Sequence, residues 1–279
     1  MRLSHSTDDK RGFANWLLDI GHGTNMDSNG TVPFNIDMCV PDCDTLINNI
    51  YPNIDKIVPP PSYFLDRIIL AAQNSDVDNL NTAILQRFPE QQSTFYSADA
   101  IETQPNIYTD SHHVPVEYLR LITASGLPPG ELHLKTGCPL ILLRNLAPAR
   151  GLCNGTRLIL CRATGRVLEV KIIGSKHHSE ISFIPRIGLI PSMEIGLSFQ
   201  LRRCQFSVRL VFVLTINKAQ EQSVRFIGVN LREPIFSHGQ LYVALSRATS
   251  HKHINILLPS TNPTNWLYNV VYPEIFQMI

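Results

Sequence analysis

Phe13, Trp16, Leu17 and Ile20 recur at i, i+3, i+4 and i+7, the spacing that lines one face of an α-helix. Gly21 and Gly23 mark the expected end of that helix. The stretch 24–62 is punctuated by Pro, Asn and Asp, with one short helix expected around Thr45 to Ile50 and a stiff linker at Pro59-Pro60-Pro61. Arg67 to Ala72 is then a short apolar run bounded by polar residues, the mark of a strand buried on both faces. Ser75 and Asp78 open a helical stripe of Val77, Leu80, Ile84 and Phe88 that Pro89 ends. A strand followed directly by a helix is the signature of an α/β fold.

From residue 131 the period changes. Pro139 to Arg144, Thr156 to Arg162, Val167 to Ile173 and Glu180 to Pro185 are strand candidates, with Asn154-Gly155 and Thr164-Gly165 as turns between them. A small barrel or meander is expected there. After Phe206 the α/β pattern returns, with strands expected at Arg209 to Leu214, Arg225 to Val229 and His253 to Leu258 and a short helix at Gly239 to Arg247. The pattern therefore predicts an α/β domain interrupted by a β insertion.

Composition adds little until it is divided. A chain of 279 residues, 44% hydrophobic with a net charge of +1, is neither disordered nor a uniformly basic nucleic-acid sleeve. Yet residues 1–130 carry 7 basic and 16 acidic side chains, a net −9, whereas 131–209 carry 12 and 4, a net +8. The last block, 210–279, is +2. The basic block coincides with the β insertion, which makes that insertion the candidate phosphate-binding surface.

The polar opening residues suggest no signal peptide, no apolar run reaches membrane-spanning length, and no membrane partner is expected. The six cysteines include no C-x-x-C pair and read as reduced thiols of an intracellular protein. Cys39, Cys43 and His22 match no standard zinc spacing, and the pairs His112-His113 and His177-His178 read as surface histidines, so no metal site is expected.

Three segments fall where strands meet loops: Gln73-Asn74, Thr215 to Ser223, and Ser237 to Arg247. In open α/β sheets ligands bind at the carboxyl ends of strands, so the three are expected to face one crevice. There Lys218 and Arg247 would meet phosphates, or else be the solvated ends of short helices. Arg202-Arg203 is likewise either a phosphate contact or the solvated start of a strand.

Thr215-Ile-Asn-Lys-Ala-Gln220 and Gly239-Gln-Leu-Tyr-Val-Ala-Leu-Ser-Arg247 resemble the fifth and sixth motifs of the Pif-type ATP-dependent DNA helicases, with the strongest likeness to those carried by Helitron transposons. Phe13-Ala-Asn-Trp-Leu-Leu-Asp-Ile-Gly21, Ile69-Leu-Ala, Leu132-His-Leu-Lys-Thr-Gly137 and Gly151-Leu-Cys-Asn-Gly-Thr-Arg157 agree in order and spacing, so the resemblance runs from about residue 11 to 258. It implies a RecA-like second motor lobe with a small β-barrel insertion. Residues 1–66 then read as the end of a first lobe and a linker, 67–130 and 200–262 as the second lobe, 131–199 as the barrel, and 263–279 as a tail.

The resemblance also implies roles. Arg247 would be an arginine finger; Gln220, Glu221, Gln240 and Tyr242 would lie beside the nucleotide; Asn74, Thr215, Asn217, Lys218, Arg202 and Arg203 would touch single-stranded DNA. The family's ATP and Mg2+ are held by a first lobe. This sequence contains no G-x-x-x-x-G-K-[ST] and no Walker B acidic pair, so the chain alone is expected to bind neither. Two positions depart from the family: Glu221 replaces a glycine of the fifth motif, and Ala72-Gln73 replaces Pro-Thr before Asn74. The implied function is 5′-to-3′ translocation on single-stranded DNA, in a nuclear or mitochondrial protein. The alternative is a non-enzymatic DNA-binding remnant.

Overall fold

The helix expected over Phe13 to Ile20 runs Asp8–His22 (α1) in the computed structural model, which describes residues 8–102, 114–124, 126–191, 199–219, 224–259, 266–272 and 274–275. It continues through Gly21. A Cβ there would stand 3.2 Å from the ring of Tyr242, so this glycine permits close packing, and Gly23, at φ +71°, makes the stop. β1 (Thr31–Pro33), β2 (Cys39–Val40) and α2 (Cys43–Ile50) follow, the last capped by Asp42, whose carboxylate accepts from Thr45 N. Next come β3 (Arg67–Ala71) and α3 (Asn74–Arg87), then β4 (Gln92–Tyr96), β5 (Ala98–Glu102) and α4 (Val116–Leu121).

The middle of the chain is β: β6 (Glu131–Lys135), β7 (Pro139–Leu142), β8 (Arg157–Ala163), β9 (Val167–Ile173), β10 (Ile181–Leu189), β11 (Gln200–Phe206) and β12 (Val208–Leu210). β13 (Val213–Thr215), β14 (Phe226–Asn230), α5 (Gln240–Leu245), β15 (Ile254–Leu257) and β16 (Trp266–Tyr268) complete it. The chain divides into two compact units, one of residues 1–57, 63–87 and 212–279, the other of 58–62 and 88–211.

The first unit is built on a five-stranded sheet in the order β13-β3-β14-β15-β2, every neighbouring pair parallel. Its strands are mainly apolar, as burial on both faces demands: Ile68 to Ala71 are at most 1% exposed. Register sets Thr215, Ala71 and Asn230 side by side at the carboxyl edge. The edge strand β13 is sealed by Asn81 of α3, whose amide donates to Val213 O (3.1 Å) and accepts from Val213 N (3.0 Å). Residues 266–268 pair with β1 as a strand, and Asn269 donates to Ile20 O at 2.8 Å, so this segment is tied into the unit.

The second unit carries a seven-stranded antiparallel sheet, β12-β7-β8-β9-β10-β11-β5, and a two-stranded pair, β4-β6. The larger sheet ends at β12 and β5, and among the described residues no pairing closes it into the expected barrel. The unit also reaches beyond residues 131–199, because β11 takes β5 as its neighbour and recruits residues 98–102.

One expected strand is two. Arg209 to Leu214 breaks at Val211-Phe212; its first half pairs antiparallel with β7 and its second half pairs parallel with β3. Phe212 anchors the second half, packing edge-on against Tyr51 and Phe64 while its carbonyl accepts from Tyr51 Oη at 2.6 Å.

Candidate nucleic-acid and nucleotide interface

Asn74 begins α3 immediately beyond the carboxyl end of β3, and its side chain is exposed. Thr215 ends β13 at the same level, half-buried, and a short 3-10 turn, Ile216–Ala219, follows directly. In that turn Ile216 and Ala219 face inward, which leaves Asn217 and Lys218 on the exposed side. Asn74, Thr215, Asn217 and Lys218 therefore share one edge of the parallel sheet, the edge at which such folds bind ligands. Gln220 and Glu221 lie outside the described residues.

Arg247 does not join them. The backbone N–H of Val224, just before β14, donates to Arg247 O at 3.2 Å, which puts Arg247 beside the amino end of that strand. Five residues of β14 separate the two edges, about 16 Å at roughly 3.3 Å per residue. The single crevice expected from the sequence is thus divided, because α5 runs back across the sheet. Gln240, at its start, follows the loop that leaves the carboxyl end of β14; Arg247 follows its last turn.

The Arg247 guanidinium folds along that last turn. Its Nε donates to Val243 O at 3.0 Å and its Nη2 to Ser246 Oγ at 3.0 Å. A cation suits this place, where the last carbonyls of a helix lack intrahelical donors. Burial pulls its pKa below the usual arginine value, with Tyr242 opposing, and the group remains a cation at neutral pH. Gln240 is 2% exposed and its Oε1 accepts from the backbone N–H of Phe236 (3.0 Å) and Ser237 (3.4 Å). It therefore braces the loop before α5. Tyr242 lies half-buried against Gly21 of α1.

In the β-rich unit Arg202 and Arg203 part company, as alternate residues of a strand must. Arg202 is exposed. Arg203 has none of its surface exposed: Nε and Nη2 reach Asp99 at 3.0 and 2.9 Å, and Nη1 donates to Ile122 O and Pro128 O at 3.0 Å. A phosphate contact requires an accessible guanidinium, so the expected DNA contact at Arg203 is corrected to a buried structural clamp. The partner Asp99 was invisible in the sequence because it lies 104 residues away.

The basic block is thinned in the same way. Lys135 and Arg157 are each 8% exposed, and Lys135 Nζ donates to Phe88 O at 2.6 Å. Arg186 spends Nε on Gly165 O and Nη1 on Tyr96 O. Arg144, Arg150, Arg162, Arg166, Lys176 and Arg202 remain on the surface. Of the histidine pairs, His177 meets Glu180 at 3.0 Å, and His112-His113 lie outside the described residues. Among the described residues no group of three or more His, Cys, Asp and Glu is arranged to hold a metal ion.

A parallel α/β unit with its motif segments at the strand ends, continuous in sequence with a β-rich basic unit, is the class of fold these observations define. Residues 117–162, from α4 into β8, match the family model described as DNA helicase Pif1, 2B domain. The ATP-dependent DNA helicase PIF1 of Rattus norvegicus is 27% identical over 199 residues, which covers 67% of this chain and 27% of that relative. A Pif1 helicase from Candida albicans superposes with a TM-score of 0.62 at 19% identity, over 96% of this chain and 57% of that one. A Bacteroides Pif1 bound to single-stranded DNA gives 0.61 at 16% identity, over 99% and 54%. The chain is similar in sequence to the Pif1 DNA helicases, and it spans about a quarter of the length of the curated relatives it matches.

Proposed function

We propose that this chain is the second motor lobe of a Pif-type, 5′-to-3′ DNA helicase, with the β-rich unit as its DNA-facing insertion and a barrel-like relative of the 2B domain. The observation that carries the reading is the placement of Asn74, Thr215, Asn217 and Lys218 along one carboxyl edge of the parallel sheet. Polar and cationic groups in a row there suit successive phosphates of a single strand. The exposed arginines of the β-rich unit extend that capacity. Phe183, 63% exposed, offers a ring on which a base can stack, with Glu169 opposite it in register and Lys171 two residues further along the same face.

On this reading ATP supplies the energy of translocation, and the P-loop and magnesium carboxylate come from a first lobe, in cis or in trans. Of the residues present, Arg247 is the one that would face the γ-phosphate, where a guanidinium stabilises charge on the transferring group. To do so it must leave Val243 O and Ser246 Oγ, so closure of two lobes on nucleotide would be coupled to the end of α5. A nuclear or mitochondrial setting and a transposon origin belong to the same reading. The other reading, a DNA-binding protein without motor activity, rests on the absence of a phosphate cradle from these 279 residues.

The test is binding of the chain to a fluorescein-labelled oligothymidylate across a salt series. Affinity should fall steeply with salt, and Lys218→Ala or Arg202→Ala should each lower the slope by about one ion. A flat salt response, or slopes unmoved by both substitutions, would reject the phosphate track.

A further inference from the structure

Residues 266–272 tie three elements of the first unit together. β16 pairs with β1, Tyr268 opposite Thr31. Asn269, 2% exposed, then fastens the segment to α1: its backbone N–H donates to Gly30 O at 2.8 Å and its amide to Ile20 O at 2.8 Å. Val270 O accepts from Gly239 N at 3.0 Å, and Val271 lies against Gly23. Tyr272 N donates to His238 Nδ1 at 3.0 Å, and the two rings stack with centroids 5.6 Å apart and planes 16° apart. The segment is thus a strap that runs from α1 and β1 to the turn before α5.

α5 depends on such a support. It has six residues, too few for a helix that is stable alone. Its N-cap is Gly239, at φ +68° and with no side chain to cap the first N–H groups. The start of the helix is fixed from outside, by Val270 O on Gly239 N and by Gln240 Oε1 on the loop before it. Arg247 follows the last turn of the same helix.

His238 makes the fastening conditional. A ring nitrogen that accepts a hydrogen bond carries no proton, so Nδ1 accepts only while the imidazole is neutral with its proton on Nε2. The imidazolium has two donors and no acceptor, and would set one N–H against that of Tyr272. Histidine is the side chain whose ordinary titration falls in the physiological range. Tyr272 is the titratable group that the structure places against the ring. The neighbouring segments carry Glu274, Arg232, Glu233, Tyr242 and His22, while Asp19 of α1 is engaged by Thr24 and Asn25.

We propose that residues 266–272 are a pH-sensitive strap on α5, closed while His238 is neutral and released at its Tyr272 end when His238 is protonated. The sign follows from the acceptor: the fastening is present at higher pH and is lost as pH falls through the histidine range. Asn269 keeps the strap attached to α1 and β1, so opening is confined to residues 270–272 and the start of α5. The inference concerns the fixing of α5 and stands whether or not the chain belongs to a motor.

Amide exchange read by NMR tests it on the whole chain, at about pH 7.5 and about pH 5.5, on either side of the histidine range, with each rate divided by the intrinsic rate at that pH. Protection at Tyr272 N and Gly239 N should fall by about tenfold at the lower pH, the range of one net hydrogen bond. Val213 N, held by Asn81, should not change. His238→Asn keeps a non-titrating acceptor close to the Nδ1 position, so both amides should stay protected at both pH values. His238→Leu removes the acceptor, so both should exchange freely at both. The proposal is overturned if the parent shows equal protection at the two pH values, if Val213 N loses protection in step with the strap, if His238→Asn loses protection as the parent does, or if folded His238→Leu matches the parent at the higher pH.

Discussion

At the scale of single residues, neighbours in sequence divide between support and function. Arg203 and Asp99 form an ion pair with no exposed side-chain surface on either partner. Asp99→Asn removes the compensating charge from a buried guanidinium, and chemical denaturation should show a loss of about 3–5 kcal/mol. Arg202→Ala, on the solvent side of the same strand, should leave stability within about 0.5 kcal/mol and reduce only DNA affinity. Cys138 offers a second check. Burial pushes its thiol up to about 12, so the folded state holds the proton more tightly than the unfolded chain. That contribution to stability is complete below the ordinary thiol value of 9.0 and disappears as pH rises through the folded value. At pH 8 the thiolate fraction is on the order of 10⁻⁴, so alkylation followed by mass spectrometry should find Cys138 the last thiol labelled. The charge count of the sequence was sound, but it could not show that Lys135, Arg157 and Arg203 point inward. Side-chain direction depends on which strand lies opposite, and β5, the partner of β11, is supplied from far along the chain.

At the scale of elements, apolar runs and helical stripes were legible wherever local pattern decides structure. α1, α2, α3, α5 and the core strands β3, β9, β14 and β15 fall where the hydrophobic period puts them. Tertiary demands decided the rest. Arg209 to Leu214 reads as one apolar strand, yet it serves two sheets, because a run of buried residues does not reveal which partner each half will meet. β4, β5 and β11 carry polar residues such as Gln92, Asp99 and Arg203 that mask their strand character. Asn81 is another feature that periodicity misses, a polar residue on the buried stripe of α3 whose side chain completes the outer strand of the sheet. Asn81→Leu would leave both Val213 N and Val213 O without partners, at about 1–3 kcal/mol for each buried group. Thermal unfolding should show that loss, and hydrogen exchange should show it concentrated at β13.

At the scale of the whole molecule, a net charge of +1 conceals an acidic stretch over residues 1–130 and a basic one over 131–209. The candidate site was legible as motifs and not as geometry. The segments around Thr215 and Arg247 were found by their residues, but their separation to opposite edges of the sheet follows from the direction of α5. That separation shapes the central claim. DNA would be held at the carboxyl edge, and nucleotide would be sensed through an arginine at the other end of the sheet, so a motor needs both edges to move together.

The most direct measurement is ATP hydrolysis stimulated by single-stranded DNA, in the chain alone and in the chain fused behind a Walker A and B lobe of a Pif1 helicase. The chain alone should show no turnover. The fusion should hydrolyse ATP, and Arg247→Ala should reduce its rate by about 10³ or more, the usual contribution of an arginine finger. Turnover by the chain alone, or a fusion indifferent to Arg247→Ala, would contradict the account.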